Sequence, residues 1–302
     1  MRLFTALSLS SNVTDWLANS CQPRLLHVFD RACNLINERG EVLSIVTPRI
    51  GNGPFNLVIA GLPNKDSSQQ TAEVFSTLNV ESPVSILGEQ LILGDLTINT
   101  ANAKLWNPRP NWEGLHDKRE NITDLLITNY RECDLDTKRS TTIFFNPRLS
   151  ITNYQFSSSL ISNLSSVLVK NDVSAAKNIA SKLAGLGPGL TPSGDDILLG
   201  AVYAAWIIHP PEAARALAEE IANTAAPLTT SLSAAWLEAG ARGEAGELWH
   251  GLFNALLSAN SSAIHLQITK LPSVGHTSGV DALTGFMGTI LRVAKVAQTS
   301  NP

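Results

Sequence analysis

The chain has 302 residues, enough for one large or two ordinary domains. Apolar residues make up 44% and charged residues 16%, which excludes a disordered chain and supplies a sizeable core. The net charge of −4 is unlike the basic footprint of a nucleic-acid binder. A small anionic substrate stays open, because backbone N–H groups can hold an anion without net positive charge.

In chain order, Leu3–Leu9 is short and apolar, with only Arg2 before it and Asp15 and Trp16 soon after, so it reads as ordinary structure and not as a targeting segment. Leu25–Phe29 and Cys33–Ile36 lead through the turn Glu38-Arg39-Gly40-Glu41 to Val42–Thr47, a hairpin pattern. Phe55–Ala60 reads as a buried strand, and Val84–Leu87, Leu91–Leu93 and Leu96–Asn99 as further strands. Asn107-Pro108-Arg109-Pro110 and Asn146-Pro147-Arg148 read as loops. Cys21, Cys33 and Cys133 form no Cys-x-x-Cys pair, and an odd, sparse set fits a reducing compartment.

After about Ser150 the apolar spacing becomes helical. Leu160, Leu164 and Leu168 lie four residues apart, and Ala175–Leu186, Pro211–Thr224, Ser231–Ala241, Glu244–Ala259 and Ser278–Gln298 continue the pattern. The expected fold is therefore α+β, a β-rich domain over residues 1–150 followed by an α-helical domain over 151–302. The longest apolar run of the helical half, Ala201–Ile208, is far short of the roughly 20 residues a membrane span needs. A cytoplasmic protein with no nucleic-acid or membrane partner is expected.

The stretch Gly185–Asp196 carries four glycines at Gly185, Gly187, Gly189 and Gly194 and two prolines, which cannot continue a helix. Ile197–Ile208 follows, apolar on nearly every face, as a helix buried on all sides would be. The first turn of such a helix offers unpaired N–H groups and the positive end of the macrodipole, a natural place for an anion. A second copy supports this. Ser193-Gly194-Asp195-Asp196 with Leu198 and Gly200 aligns with Ser278-Gly279-Val280-Asp281 with Leu283 and Gly285, and Gly189-Leu190-Thr191 aligns with Gly275-His276-Thr277. The expectation is two helix starts facing one pocket through an approximate internal two-fold.

A capping box, with Ser as N-cap and Asp at N3, accounts for Ser193, Asp196, Ser278 and Asp281 without any function. The glycine density, the additional carboxylate of Asp195 and the repetition go beyond that. Asp195 and Asp196 can hold Mg²⁺ or serve as a base. The turn is neither a Walker A loop, since no Lys follows, nor a dinucleotide fingerprint, since a helix precedes it. Thr47–Phe55 is a second glycine-rich loop, in which Arg49 can grip a carboxylate or phosphate. His276 is the only histidine placed in a candidate turn. Trp106, Trp112, Trp206, Trp236 and Trp249 look like packing residues. The candidate catalytic set is thus Asp195, Asp196 and His276, with Asp195 and Asp196 the candidate metal ligands. The candidate anion- and substrate-binding set is Arg49, Asn52, Gly187, Gly189, Thr191, Ser193, Gly194, Thr277, Ser278, Gly279 and Asp281.

The run Gly185–Asp196, the turn Gly275–Gly279 and the loop Gly51-Asn52-Gly53-Pro54 resemble the signatures of the bacterial AllH-like family. That family includes the small subunit of the oxamate carbamoyltransferase of allantoin breakdown. The resemblance implies assembly with an acyl-CoA-synthetase-like subunit and a second large subunit. It also implies a reaction converting oxalurate and phosphate to oxamate and carbamoyl phosphate. The alternatives are a non-catalytic assembly subunit and a self-sufficient hydrolase of a small amide or phosphate ester.

Overall fold

The computed structural model describes residues 2–60, 74–132 and 158–299. The fold is α+β. Its backbone divides into two compact units, Met1–Pro108 and Arg109–Pro302. The boundary expected near Ile151, the loop at Asn146–Arg148 and Cys133 lie outside the described residues.

The described part of the first unit is a mixed sheet. Its strands are β1 (Arg2–Ser10), β2 (Arg24–Val28), β3 (Ala32–Ile36), β4 (Val42–Val46), β5 (Asn56–Ile59), β6 (Val84–Leu87), β7 (Gln90–Leu93), β8 (Leu96–Asn99) and β9 (Lys104–Trp106). The order is β2-β3-β4-β5-β1-β8-β7-β6, with β9 also on β1. β3 and β4 form the expected hairpin, Ile36 opposite Val42, across a turn in which Gly40 takes a φ of +80°. β4 and β5 are buried along their whole length, as continuous apolar runs predict. The segment at Leu3–Leu9 is the organising strand. Residues Arg2–Thr5 pair in parallel with β8, a register shift falls between Ala6 and Ser8, and Ser8–Ser10 pair in parallel with β9. Such an irregularity bends a strand and lets it change partners. Helix α1 (Ser11–Asn19) then contributes Val13 and Trp16 to the core, and Trp16 Nε1 donates to Glu41 O at 2.9 Å.

In the second unit, helix begins earlier than the change of spacing near Ser150 indicates. α2 (Trp112–Asp117) and α3 (Arg119–Glu132) lie in a stretch read as strands and loops. Asn111 caps α2 by accepting from Gly114 N, and Leu115, Ile122 and Leu126 are buried at helical spacing among polar residues that mask the pattern. The remaining helices are α4 (Ser158–Val169), α5 (Val173–Leu183), α6 (Ser193–Ile208), α7 (Pro211–Ala225), α8 (Ser231–Ala241), α9 (Glu247–Leu257), α10 (Ser261–Lys270) and α11 (Ser278–Thr299). α6 is the axis of this unit. Every residue from Ser193 to Ile207 is buried, as its uniform apolarity foretold. Trp112, Trp249, Phe253 and Phe286 pack with Tyr203 and Trp206 of this helix as one aromatic cluster, so these tryptophans are packing residues. No helix among the described residues is long and apolar enough to cross a membrane.

Candidate functional site

α6 and α11 pack against each other more extensively than any other pair of described elements. Glycine makes the approach possible. A Cβ on Gly200 would stand 1.7 Å from Ala282 O, and one on Gly285 would stand 1.9 Å from Ile197 O. Gly200 and Gly285 are equivalent in the two sequence copies, as are Ile197 and Ala282, so the contact is reciprocal about a local two-fold. The same equivalence extends backwards. A Cβ on Gly194 would meet Leu183 O at 2.0 Å, and one on Gly279 would meet Leu271 O at 1.9 Å. The repeat is therefore a helix–turn–helix, α5–turn–α6 and α10–turn–α11.

The turns align differently from the sequence reading. Leu186 N donates to Leu183 O and Val274 N to Leu271 O, and each following glycine, Gly187 and Gly275, sits against the serine that opens the next helix. Gly187, with φ +124°, is thus the counterpart of Gly275, with φ +60°. Gly189 instead belongs to three extra residues, Pro188-Gly189-Leu190, in the first copy. Gly189 is exposed, and a Cβ there would meet nothing within 4 Å.

The two helix starts meet. Thr191 Oγ1 lies 2.7 Å from Ser278 Oγ. Behind this contact the carboxylates cross over. The hydroxyls of Ser278 and Thr191 stand beside Asp196, and those of Ser193 and Thr277 beside Asp281. Each aspartate of one helix therefore faces the serine of the other. The expected capping box within α6 does not form. Pro192 occupies the cap position, no side chain caps the helix, and Ser193 is already in the first turn.

Two family models match this chain. The model described as oxamate carbamoyltransferase subunit AllH covers residues 183–290, and the AllH family N-terminal domain covers 5–105. The chain belongs to the AllH family. The AllH match opens at Leu183, the residue whose carbonyl fits against Gly194, and it runs through both turns and both helix starts. The N-terminal AllH match spans the sheet strands from within β1 to within β9. No solved structure matches the chain.

Within this AllH site the electrostatics divide Asp195 from Asp196. Adjacent helical residues point about 100° apart. Asp195 turns toward the glycine turn and the start of α8, where Gly185 N donates to Oδ1 at 3.0 Å, Ser233 Oγ to Oδ2 at 2.9 Å, and Thr229 Oγ1 also to Oδ2. Burial raises its pKa, and the Thr229, Gly185 and Ser233 bonds oppose that. Asp195 thereby clamps the glycine turn to the start of α8 and the residues just before it. The adjacent Thr230 adds a bond from its Oγ1 to Leu190 O at 2.5 Å. Neither Thr229 nor Ser233 carried a sequence signal, because a polar cluster before a helix reads as an ordinary cap.

Asp196 faces α11. Its pKa is pushed up to about 8, first by burial and then by the charges of Asp281 and Asp195, while the Ser278 and Thr191 hydroxyls pull it down. Asp281 is raised to about 6 by burial, against the Ser193 and Thr277 hydroxyls. Oδ2 of each is buried without a hydrogen-bond partner. An Asp195–Asp196 pair does not fit a shared Mg²⁺, since the oxygens of Asp195 are committed to donors and face another way. Among the described residues no three His, Cys, Asp or Glu side chains converge as metal ligands.

The helix-start amides are also less free than expected. Gly194 N donates to Leu186 O, Asp195 N and Asp196 N to Pro192 O, Gly279 N to Val274 O and Asp281 N to Thr277 O. The turns fold back to satisfy Gly194 N and Gly279 N, and the carbonyls of Pro192 and Thr277 take the other three. What faces outward is chiefly hydroxyl, with Thr191 and Ser278 half-buried and Thr277 and His276 exposed. Arg49 and Asn52 belong to the first unit. Arg49 is exposed, and Asn52 Oδ1 accepts from Ser8 Oγ at 2.6 Å. In the same loop Asn56 Nδ2 donates to Gly51 O, and Pro54 O accepts from Ser10 Oγ, so its glycines serve a fixed turn.

Proposed function

We propose that the chain is a subunit of a carbamoyltransferase that interconverts oxalurate plus phosphate with oxamate plus carbamoyl phosphate. The small anion is held where α6 and α11 begin. The observation that carries this reading is the 2.7 Å contact between Thr191 Oγ1 and Ser278 Oγ, which joins two helix N-termini at one place. Two macrodipoles present their positive ends there, and each is equivalent to roughly half a unit charge. Hydroxyl donors at that point suit a phosphate oxygen or the developing oxyanion on a carbamoyl carbon. The clamp of Asp195 on Gly185, Thr229 and Ser233 holds the first turn in place before the anion arrives.

The AllH family description, a subunit of oxamate carbamoyltransferase, supports work inside a multi-subunit enzyme. The partners in this reading are an acyl-CoA-synthetase-like subunit and a second large subunit. The test is reconstitution of the three proteins, followed by assay of carbamoyl phosphate from oxalurate and phosphate. Turnover lost in Ser278→Ala with the assembly intact places the chemistry here. Assembly lost in the same variant assigns the turns to docking, and no product from the wild-type assembly refutes the activity.

A further inference from the structure

Two carboxylates with unpartnered oxygens are buried side by side at the paired helix starts. Asp196 is 6% exposed and Asp281 2%. The ionisable groups acting on Asp196 are Asp281 from α11 and Asp195 from its own helix. Tyr203, two turns along α6 on the same face, is acted on by Glu244 and Asp196. No Lys, Arg or His from the described elements packed on α6 is among the groups that shift either aspartate, and neither enters an ion pair. The helix N-termini supply partial positive charge, but desolvation and mutual repulsion together disfavour two ionised carboxylates in one buried site. The reciprocal glycine contacts keep the helices too close for the pair to separate.

We propose that Asp196 and Asp281 hold one proton between them and pass it through the Ser278 and Thr191 hydroxyls to the leaving nitrogen of the carbamoyl donor. This rests on the carbamoyl-transfer reading above. In that reaction an oxygen of hydrogen phosphate bonds to the carbamoyl carbon of oxalurate, and the bond from that carbon to the oxamate nitrogen breaks. The bonding electrons leave with the nitrogen, which must gain a proton. It takes one from the Thr191–Ser278 hydroxyl pair, which is refilled from the Asp196 carboxyl. The phosphate loses its own proton as it becomes the acyl phosphate, and the Asp281 carboxylate receives it by way of Thr277. The pair ends with one proton, as it began, so a singly protonated dyad serves both half-steps. Asp196, which faces the charges of both Asp281 and Asp195 besides its burial, is the member that carries the proton at rest. Asp196 acts through the hydroxyls and is a positioning residue for that proton.

The test has two arms. Infrared difference spectra of the full chain, with its aspartates isotope-labelled, read the carbonyl stretch of a protonated carboxyl at pH 7. The proposal expects a band that is lost in Asp196→Asn and Asp281→Asn. A wild-type chain with no protonated carboxyl overturns the shared proton. In the assembled enzyme, Asp196→Asn is expected to lower kcat on the order of 10²–10³-fold, the range for lost proton transfer, with KM changed less than about threefold. The basic limb of the wild-type kcat profile, set by the pair, vanishes in this variant. Thr191→Val, which keeps both buried carboxyls, lowers kcat in the same way and serves if Asp196→Asn does not fold. Retention of kcat within tenfold in either variant, with the basic limb intact, overturns the relay. If the wild-type assembly makes no carbamoyl phosphate, the reading of the reaction and the relay fall together, and the infrared band alone decides the shared proton.

Discussion

Replacing Gly200 with Ala tests the packing that brings the two helix starts together. The added Cβ would lie 1.7 Å from Ala282 O. Carbon and oxygen in close contact sit about 3.3 Å apart, so α6 and α11 must part by about 1.6 Å at that point. The obstacle is a backbone carbonyl inside a helix, which cannot swing aside as a side-chain end can. Overpacking of this kind costs about 1–3 kcal/mol, and the severity of the clash puts it at the upper end. The better helix propensity of Ala returns about 1 kcal/mol. A net loss of about 2 kcal/mol lowers Tm by about 4–8 °C in a domain of this size. Gly285→Ala meets Ile197 O at 1.9 Å and repeats the effect. The double variant loses less than the sum, because helices already parted accommodate the second methyl. Scanning calorimetry of the three variants measures this. A Tm at or above wild type for either single variant refutes the close reciprocal contact.

Other consequences follow from the same contacts. Folded-state pKa values raised to about 8 for Asp196 and about 6 for Asp281 mean that the native state binds more protons than the unfolded chain above about pH 4. Their contribution is fully present below the unfolded value and is lost as pH rises through the folded one. The Tm of Asp196→Asn therefore rises relative to wild type between about pH 4 and 8; a difference between the two that stays constant over that window contradicts the assignment. Asp195→Asn replaces one acceptor oxygen with an amide that cannot accept from Thr229 and Ser233, and is expected to cost about 1–3 kcal/mol in chemical denaturation. Equal denaturation midpoints for this variant and wild type would remove the clamp. Thr191→Val and Ser278→Ala, taken singly and together, should show coupling of about 0.5–1.5 kcal/mol in a double-mutant cycle, whereas additive effects would mean that the hydroxyls do not meet.

Much of this was legible in the sequence because local physics decided it. The apolar run Ile197–Ile208 had to be buried on all sides, and the turn at Gly40 had to join two strands. The repetition at Ser193 and Ser278 announced a common role, and its glycines at Gly200 and Gly285 proved to be the contact points. What escaped depended on distance along the chain. The partners of Asp195 at Thr229 and Ser233 are 34 and 38 residues away, and nothing near Asp195 hints at them. The crossover of Asp196 to Ser278 and Asp281 to Ser193 was hidden because Ser-x-x-Asp also describes a local cap, and Pro192 took that position instead. Gly189 was paired with Gly275 in place of Gly187 since the two glycines are indistinguishable as letters, and only their surroundings separate them. The central strand Arg2–Ser10 lacked a clean alternation because it changes partners part-way.

The most direct measurement is a crystal structure of the assembled enzyme with carbamoyl phosphate bound. Density for the ligand against the hydroxyls of Thr191 and Ser278, with Asp196 and Asp281 behind them, is the predicted result. Ligand density held wholly by a partner subunit, with Thr191 and Ser278 still bonded to each other and remote from it, would contradict a site at the paired helix starts.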